Sequence, residues 1–400
     1  MARVVVLGAG YGGLLAAVRL AARSPQAEVT LVNQSDVFVE RVRLHQYAAN
    51  QAVRQRKLVD ILAGTRVQFV CGTVDRIDLP ARRVLLGGGE LAYDYLVYAP
   101  GSVTDLDAVP GVRDHAYSIK ASGERSAEDL RTLLPALGAS GGRLVVVGGG
   151  PLGIETAAEL AESYPDLRVT LVTRGEALPA FPGKPRAHVL GTLTRLAVTV
   201  RSQTPISSVT ARAVVTADGA AIPFDVCVWC GGFRAVDVAA RSGLAVNALG
   251  QVLTDPGLRS VSHPAVFALG DGAAPAYRSR VPMQMGAFTA TVTGAHAADG
   301  VYDVLRGHQP RRLSFAYYGQ AIALGRRDVV GFNRYPDGNA HWPMFSGSLG
   351  VRSREFFVDL LTDGCMRGAP LGPGLVFQRL DGRRPGLDRQ APSAAGARVA

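Results

Sequence analysis

Apolar residues fall along this chain in two patterns: short unbroken runs, and runs that recur every three or four positions. Arg3-Val4-Val5-Val6-Leu7 is an unbroken β-branched run, the mark of a strand covered on both faces. Glycines follow at once, and Leu14-Leu15-Ala16-Ala17 then reads as the first turns of a helix. The same succession returns at Leu144-Val145-Val146-Val147, with glycines and then Leu152 to Glu155. Second strands are expected at Glu28–Asn33 and Arg168–Arg174. Val67–Cys71, Thr73–Leu79 and Arg83–Leu86 read as a meander, with Gly87-Gly88-Gly89 as a turn. Tyr93–Tyr98, Asp225–Cys230 and Val266–Leu269 read as buried strands that run into small residues. Helices are expected at Ser126–Leu137, Pro282–Ala298 and Arg354–Leu361. Phe315–Tyr318, Ala321–Leu324 and Asp328–Val330 suggest an antiparallel sheet. From Leu380 onward Arg, Pro, Ala and Gly dominate, so residues 380–400 are expected to form a disordered tail. Strands alternating with helices predict an α/β architecture with parallel sheets.

The glycines sharpen this expectation. Gly8-x-Gly10-x-x-Gly13 and Gly148-x-Gly150-x-x-Gly153 each stand between a strand and a helix, as in a dinucleotide fingerprint. The first glycine permits a tight turn, the second lets a pyrophosphate approach the backbone, and the third lets helix and strand pack closely. The helix N-terminus then offers unpaired N–H groups to the phosphate. One such motif is weak evidence. Two predict a pair of Rossmann-like dinucleotide-binding domains, with a small C-terminal α+β domain after them. At the tip of the second strand of such a unit an acid usually accepts from ribose hydroxyls. Asn33 stands there, either as a weaker ribose acceptor or as a strand-end turn residue. Arg41 faces either a diphosphate or solvent. Gly101 closes the turn Ala99-Pro100-Gly101-Ser102, where a side chain would obstruct cofactor or backbone. In the second unit Thr173 takes the acid's place and Arg174 follows. Without a carboxylate, arginine can pair with a 2′-phosphate, which tilts the reading from NADH toward NADPH unless Arg174 points into solvent. Asp271, in Leu269-Gly270-Asp271-Gly272, can aim a carboxylate at a polyol or cap a helix.

Composition adds limits. At 400 residues the chain exceeds one ordinary core. Its net charge of +10 implies a basic solvated surface, or attraction to anionic cofactors or to an acidic membrane face. Nucleic acid is not expected as a partner: there is no zinc-finger spacing, no aromatic-rich RNA motif and no basic helix with heptads. No metal ligand set is proposed. Cys71, Cys227, Cys230 and Cys365 make no secreted disulfide framework. Cys227 and Cys230 have redox-motif spacing, but on a strand they face opposite sides, away from any helix N-terminus that would activate a thiol. The first strand begins too early to leave room for a signal peptide. Val281–Ala298 lacks Asp, Glu, Lys and Arg, yet Pro282 and His296 make it a poor membrane span. A cytoplasmic location is expected, and the positive charge admits peripheral contact at the inner face of a membrane.

With both fingerprints, Ala99-Pro100-Gly101 and Leu269-Gly270-Asp271 in this order, the chain resembles the two-dinucleotide flavoproteins. This is the glutathione-reductase-like fold of pyridine nucleotide–disulfide oxidoreductases. The nearest branch is that of type II NADH dehydrogenases and apoptosis-inducing-factor-like oxidoreductases. The resemblance runs over residues 3–330. It implies an FAD-binding domain from 1–115 and 250–308, an NAD(P)H-binding domain at 116–249, and a C-terminal interface domain at 309–379 that could support a homodimer. It implies FAD on Gly8, Gly10 and Gly13, with Asn33 at the ribose, Arg41, Val74, Ala99 and Gly101 lining the site, and Asp271 on the ribityl chain. It implies NAD(P)H as co-substrate on Gly148, Gly150 and Gly153, with Thr173, Arg174 and Gly232 alongside and Glu155 beside the nicotinamide. Met283 and Gln284 would face the electron acceptor. Three features depart from the family pattern. The redox disulfide has no counterpart. Met283-Gln284 matches only the first of two glutamine pairs, with Ala287-Phe288-Thr289 near the second. C-terminal amphipathic membrane helices are not evident in the sequence. The implied activity is hydride transfer from NAD(P)H to FAD, then electron transfer to a quinone, oxygen, a small metabolite or a redox protein. Rival readings are direct flavin oxidation of a metabolite and a redox-sensing binding protein.

Overall fold

The computed structural model describes residues 1–181, 183–276, 283–314, 319–334 and 340–367. The chain opens with β1 (Ala2–Leu7), α1 (Tyr11–Arg23), β2 (Ala27–Asn33), α2 (Leu44–Ala48), β3 (Val67–Cys71) and β4 (Tyr95–Tyr98). Then come α3 (Ala127–Ala139), β5 (Arg143–Val147), α4 (Pro151–Ser163), β6 (Arg168–Val172), α5 (Gly183–Arg195), β7 (Thr199–Arg201) and β8 (Val226–Trp229). β9 (Val266–Ala268), α6 (Ala287–Leu305), β10 (Gly319–Ala323), β11 (Val329–Arg334), β12 (Ala340–Ser346) and α7 (Gly347–Arg367) complete it.

Two fully parallel sheets carry the molecule. The first has the strand order β9-β4-β1-β2-β3 and the second β7-β6-β5-β8. Their central strands explain the unbroken apolar runs. Val4 and Val6 enter one core, while Val5 and Leu7 enter another on the opposite face. Leu144 and Val146 likewise part from Val145 and Val147. Each fully buried aliphatic side chain contributes about 1.5–3 kcal/mol, so a strand buried on both faces is favoured over any half-exposed alternative. α1 and α6 cross nearly backbone to backbone: a Cβ on Gly294 would lie 2.4 Å from the Gly12 oxygen. β10, β11 and β12 form an antiparallel sheet. Its Ile322, Leu324, Val330 and Phe332 join the core of the second parallel sheet, and Phe332 meets Phe181 edge to face at 4.9 Å. α7 returns to the first unit, where Cys365 enters the core beneath α1.

Three elements differ from the sequence reading. Val67–Cys71 is the edge strand of the first parallel sheet, paired with β2, and not part of the meander. Edge position leaves it half covered, and that gives it a meander-like alternation. The meander comprises Val74–Asp78, Arg83–Leu86 and Gly89–Ala92. α6 begins at Ala287 because the Gly286 N–H is committed to Asp271. α7 is far longer than Arg354–Leu361. The expected Phe315–Tyr318 strand, the expected helix start at Pro282 and the tail at 380–400 lie outside the described residues. Among the described residues no helix is long and apolar enough to cross a membrane. Leu349, Phe356, Phe357 and Leu360 nonetheless stand exposed on α7.

Candidate functional site

The candidate residues gather at the carboxyl ends of the two parallel sheets, where ligands of open α/β sheets bind. In the first unit β1 turns through Gly8, whose φ is +96° and whose Cβ would lie 2.3 Å from the Ala99 oxygen. A Cβ on Gly13 would lie 1.9 Å from the Gly8 oxygen, so helix and strand meet at a distance only glycine allows. Gly10 is different. Its backbone is ordinary extended (φ −72°, ψ −174°), and a Cβ built there meets nothing within 4 Å. The protein thus holds α1's first N–H groups open to a ligand without using Gly10 for its own packing.

Asn33, at the tip of β2, braces this turn. Its Oδ1 accepts from the Ala9 N–H at 2.9 Å, and its Nδ2 donates to the Ser35 carbonyl at 2.8 Å. The turn after β4 lies alongside. Gly101 has φ +80°, and Arg41 Nη1 donates to the Ser102 carbonyl at 2.8 Å. Ala99 is buried against the first turn, and Val74 begins the meander. Asp271 follows β9 in a single 3-10 turn. Its Oδ2 accepts from Ser102 Oγ at 2.6 Å and its Oδ1 from the Gly286 N–H at 2.7 Å. The carboxylate therefore ties two turns together and keeps further lone pairs for a hydroxyl ligand. Met283, half-buried, and Gln284, exposed, lie just before Gly286.

The second unit repeats the geometry. A Cβ on Gly153 would lie 1.9 Å from the Gly148 oxygen, whereas one on Gly150 meets nothing within 4 Å. Pro151 opens α4 at a position where its missing N–H is harmless. Thr173, after β6, is buried against Gly149, and Arg174 is exposed beside it. Gly232 ends the turn after β8 with φ +108°. Arg201, at the end of β7, was missed in the sequence. Its carbonyl accepts from the Thr173 N–H at 2.9 Å, which sets its exposed side chain next to Arg174's strand end. Only knowledge of which strand lies beside β6 could have found it.

A partly buried charge cluster joins α4 to α7. Glu155 Oε1 accepts from the Ala323 N–H at 3.0 Å and lies 3.5 Å from Arg354 Nη2. Burial pushes the Glu155 carboxyl up, and Arg354 and the Ala323 N–H pull against it. Arg354 also donates to Glu355, whose other oxygen takes a 2.6 Å bond from Arg43, and Arg43 binds Glu40 at 3.0 Å. His45, buried beside this cluster, is driven down to about 3 by burial and by Arg354 and Arg43, so it is neutral and no base at neutral pH. Cys227 and Cys230 enter cores on opposite faces of the sheet. Burial pushes both thiols up, Cys230 to about 12, so neither is a thiolate nucleophile.

A family model described as pyridine nucleotide-disulphide oxidoreductase matches residues 2–294. The chain is 30% identical over 354 residues to demethylphylloquinone reductase NdbB of Synechocystis sp., covering 82% of this chain and 86% of that protein. It is 26% identical over 359 residues to the type II NADH:quinone oxidoreductase of Staphylococcus saprophyticus, covering 82% of this chain and 89% of the relative. Its fold is similar to that of the sulfide:quinone oxidoreductase of Aquifex aeolicus, with a TM-score of 0.79, 18% identity and 92% of each chain covered.

Proposed function

The chain belongs to the pyridine nucleotide-disulphide oxidoreductase family, and from that premise we propose that it is an FAD-dependent NAD(P)H dehydrogenase that delivers electrons to a quinone. The observation that carries this reading is the paired geometry of the two turns. Each sits at the carboxyl end of its own parallel sheet, and each has one glycine, Gly10 or Gly150, with no packing duty in the protein. That fits two diphosphates. The first turn would hold FAD, with Asp271 and Ser102 at its polyol and Arg41, Ala99 and Gly101 along its edge. The second would hold the nicotinamide dinucleotide. Bound there, the flavin supplies the two-electron chemistry. The chain's own contribution is position: it fixes two ligands on rigid strand ends and requires no acid or base for the hydride step.

Glu155, held by Ala323 and Arg354, would lie beside the nicotinamide. Arg174 and Arg201 stand at adjacent strand ends with no carboxylate at Thr173, so a 2′-phosphate is accepted and NADPH serves as well as NADH. Quinone as acceptor is supported by the relatives' named activities and by α7. Exposed Leu349, Phe356, Phe357 and Leu360 recur at helical spacing and form an apolar face that can rest on a bilayer, where quinones reside. Anaerobic mixing with NADH or NADPH should bleach the yellow protein, and a water-soluble quinone should restore its colour. A flavin spectrum untouched by either nucleotide overturns the first half of the reading. Reoxidation by oxygen but not by quinone overturns the second.

A further inference from the structure

Glu159 lies in the middle of α4 with 0% of its surface exposed. Its Oε1 accepts from Gln51 Nε2. Its Oε2 has no hydrogen-bond partner among the described residues. A buried carboxylate oxygen left bare is strongly disfavoured, so such a group holds its proton or trades it. Its charged surroundings are mixed. Burial and the Glu162 carboxylate on its own helix push the pKa up, while Arg326 after β10, Arg354 of α7 and Gln51 after α2 pull it down, and the balance stands at about 7. His45, on α2, is neutral.

Two neighbours give this carboxyl a direction. Gln51 lines an open surface pocket with Asn50, Ser163 and Arg326, so water reaches the side chain that covers Glu159. On the other side Glu155 lies one helical turn back on the same face, about 6 Å along the axis. The two carboxyls share no direct hydrogen bond, so a water between them would carry the proton across that gap. We propose that Glu159 passes a proton from pocket water to Glu155 during turnover, an inference that rests on the quinone-reducing reading above. The reaction consumes a proton that such a path can supply. Oxidising NAD(P)H with a quinone breaks the nicotinamide C4–H bond, moves two electrons and makes two O–H bonds. The net reaction is NAD(P)H + H⁺ + quinone giving NAD(P)⁺ + hydroquinone, so one proton enters from water in each cycle. The Glu159 O–H bond breaks as the Glu155 carboxylate takes its proton, Glu155 in turn gives one up into the ligand cleft to complete one of the two new hydroquinone O–H bonds, and Glu159 regains one from the pocket past Gln51. Glu159 touches no ligand and acts only through Glu155.

Glu159→Gln keeps the shape and removes the proton. Anaerobic flavin reduction by NADH should stay within twofold of wild type. Reoxidation by a water-soluble quinone should slow at least tenfold at pH 8, and the inflection near pH 7 in its rate should vanish. Glu159→Asp should recover a third or more of the rate, which packing alone would not restore. In the flavin-free protein, infrared difference spectra against pH should show a protonated carboxyl band that titrates near 7 in wild type and is missing in E159Q. A variant whose reoxidation rate and pH profile match wild type overturns the inference and leaves the quinone reading intact. A wild-type enzyme that quinone cannot reoxidise removes both. If E159Q does not fold, the wild-type infrared titration decides: no band titrating between pH 6 and 8 sinks the proposal.

Discussion

Gly10→Ala and Gly150→Ala separate folding from ligand binding and test which turn takes which dinucleotide. Both positions have extended backbone that alanine adopts freely, and a Cβ at either meets nothing within 4 Å. Each glycine is a helix N-cap, a position where alanine is somewhat worse, by less than about 1 kcal/mol. The ligand-free variants should therefore unfold within a few degrees of wild type. A diphosphate drawn onto the same turn would meet the new methyl. Forcing one extra methyl group into a filled contact costs about 1–3 kcal/mol, or about 5- to 150-fold in Kd at 1.4 kcal/mol per decade. G10A should lose FAD affinity by that factor and keep its response to nicotinamide when flavin is in excess. G150A should purify yellow, with the KM for NADH raised by the same factor. Flavin titration of the flavin-free protein and anaerobic stopped-flow reduction read the two effects separately. The internal contrast is Gly153→Ala, whose Cβ would sit 1.9 Å from the Gly148 oxygen and should abolish folding outright. Exchange of the two phenotypes, or unchanged affinity in both, refutes the assignment.

Three more outcomes follow from the geometry. Because Glu159 holds its proton more tightly folded than unfolded, native stability should fall as pH rises from about 4.5 to about 7, by at most about 3 kcal/mol at 1.36 kcal/mol per pKa unit. E159Q should lack that slope in denaturant unfolding, and an unchanged slope counts against a titrating Glu159. Arg174→Glu should raise the KM for NADPH about tenfold or more, the worth of one charged hydrogen bond, while changing that for NADH less than threefold. Equal effects on both would put Arg174 outside the 2′-phosphate site. Replacing Phe356 and Phe357 together by Glu should weaken sedimentation with anionic lipid vesicles at least about 100-fold, since each buried phenylalanine contributes about 1.5–3 kcal/mol. Undiminished binding would mean that α7 does not face the bilayer.

Local chemistry made the two strand-turn-helix units legible. Unbroken apolar runs and three glycines encode a doubly covered strand and a close turn within a dozen residues. The strand that carries Cys227 and ends just before Cys230 was readable for the same reason, because alternation alone sends the two thiols to opposite faces. What escaped depends on pairings far apart in the chain. The register of Val67–Cys71 comes from β2, and alternation cannot tell a half-covered parallel edge from a meander. Arg201 matters only because β7 lies beside β6. The bond from Arg43 to Glu355 spans 312 positions. Asp271 was found as a candidate, yet its hold on Gly286, which sets where α6 begins, required the fold.

The same limit explains the glutamates of α4. Glu155, Glu159 and Glu162 recur at intervals of four and three, a stripe that in an isolated helix reads as its solvated face, opposite Ile154, Ala157, Ala158 and Ala161. The structure covers that stripe. Gln51 after α2 closes over Glu159, the Ala323 N–H over Glu155, and the Arg326 N–H over Glu162. The antiparallel sheet thus does more than extend the core. Burial of carboxylates that would otherwise be hydrated raises the Glu155 and Glu159 pKa values above the ordinary range, against the pull of the Ala323 N–H on Glu155 and of Arg326 on Glu159. A proton-handling path along α4 is a product of that covering, and because Arg326 pulls Glu159 down, Arg326→Ala should move its infrared titration above 7 with every residue of α4 unchanged.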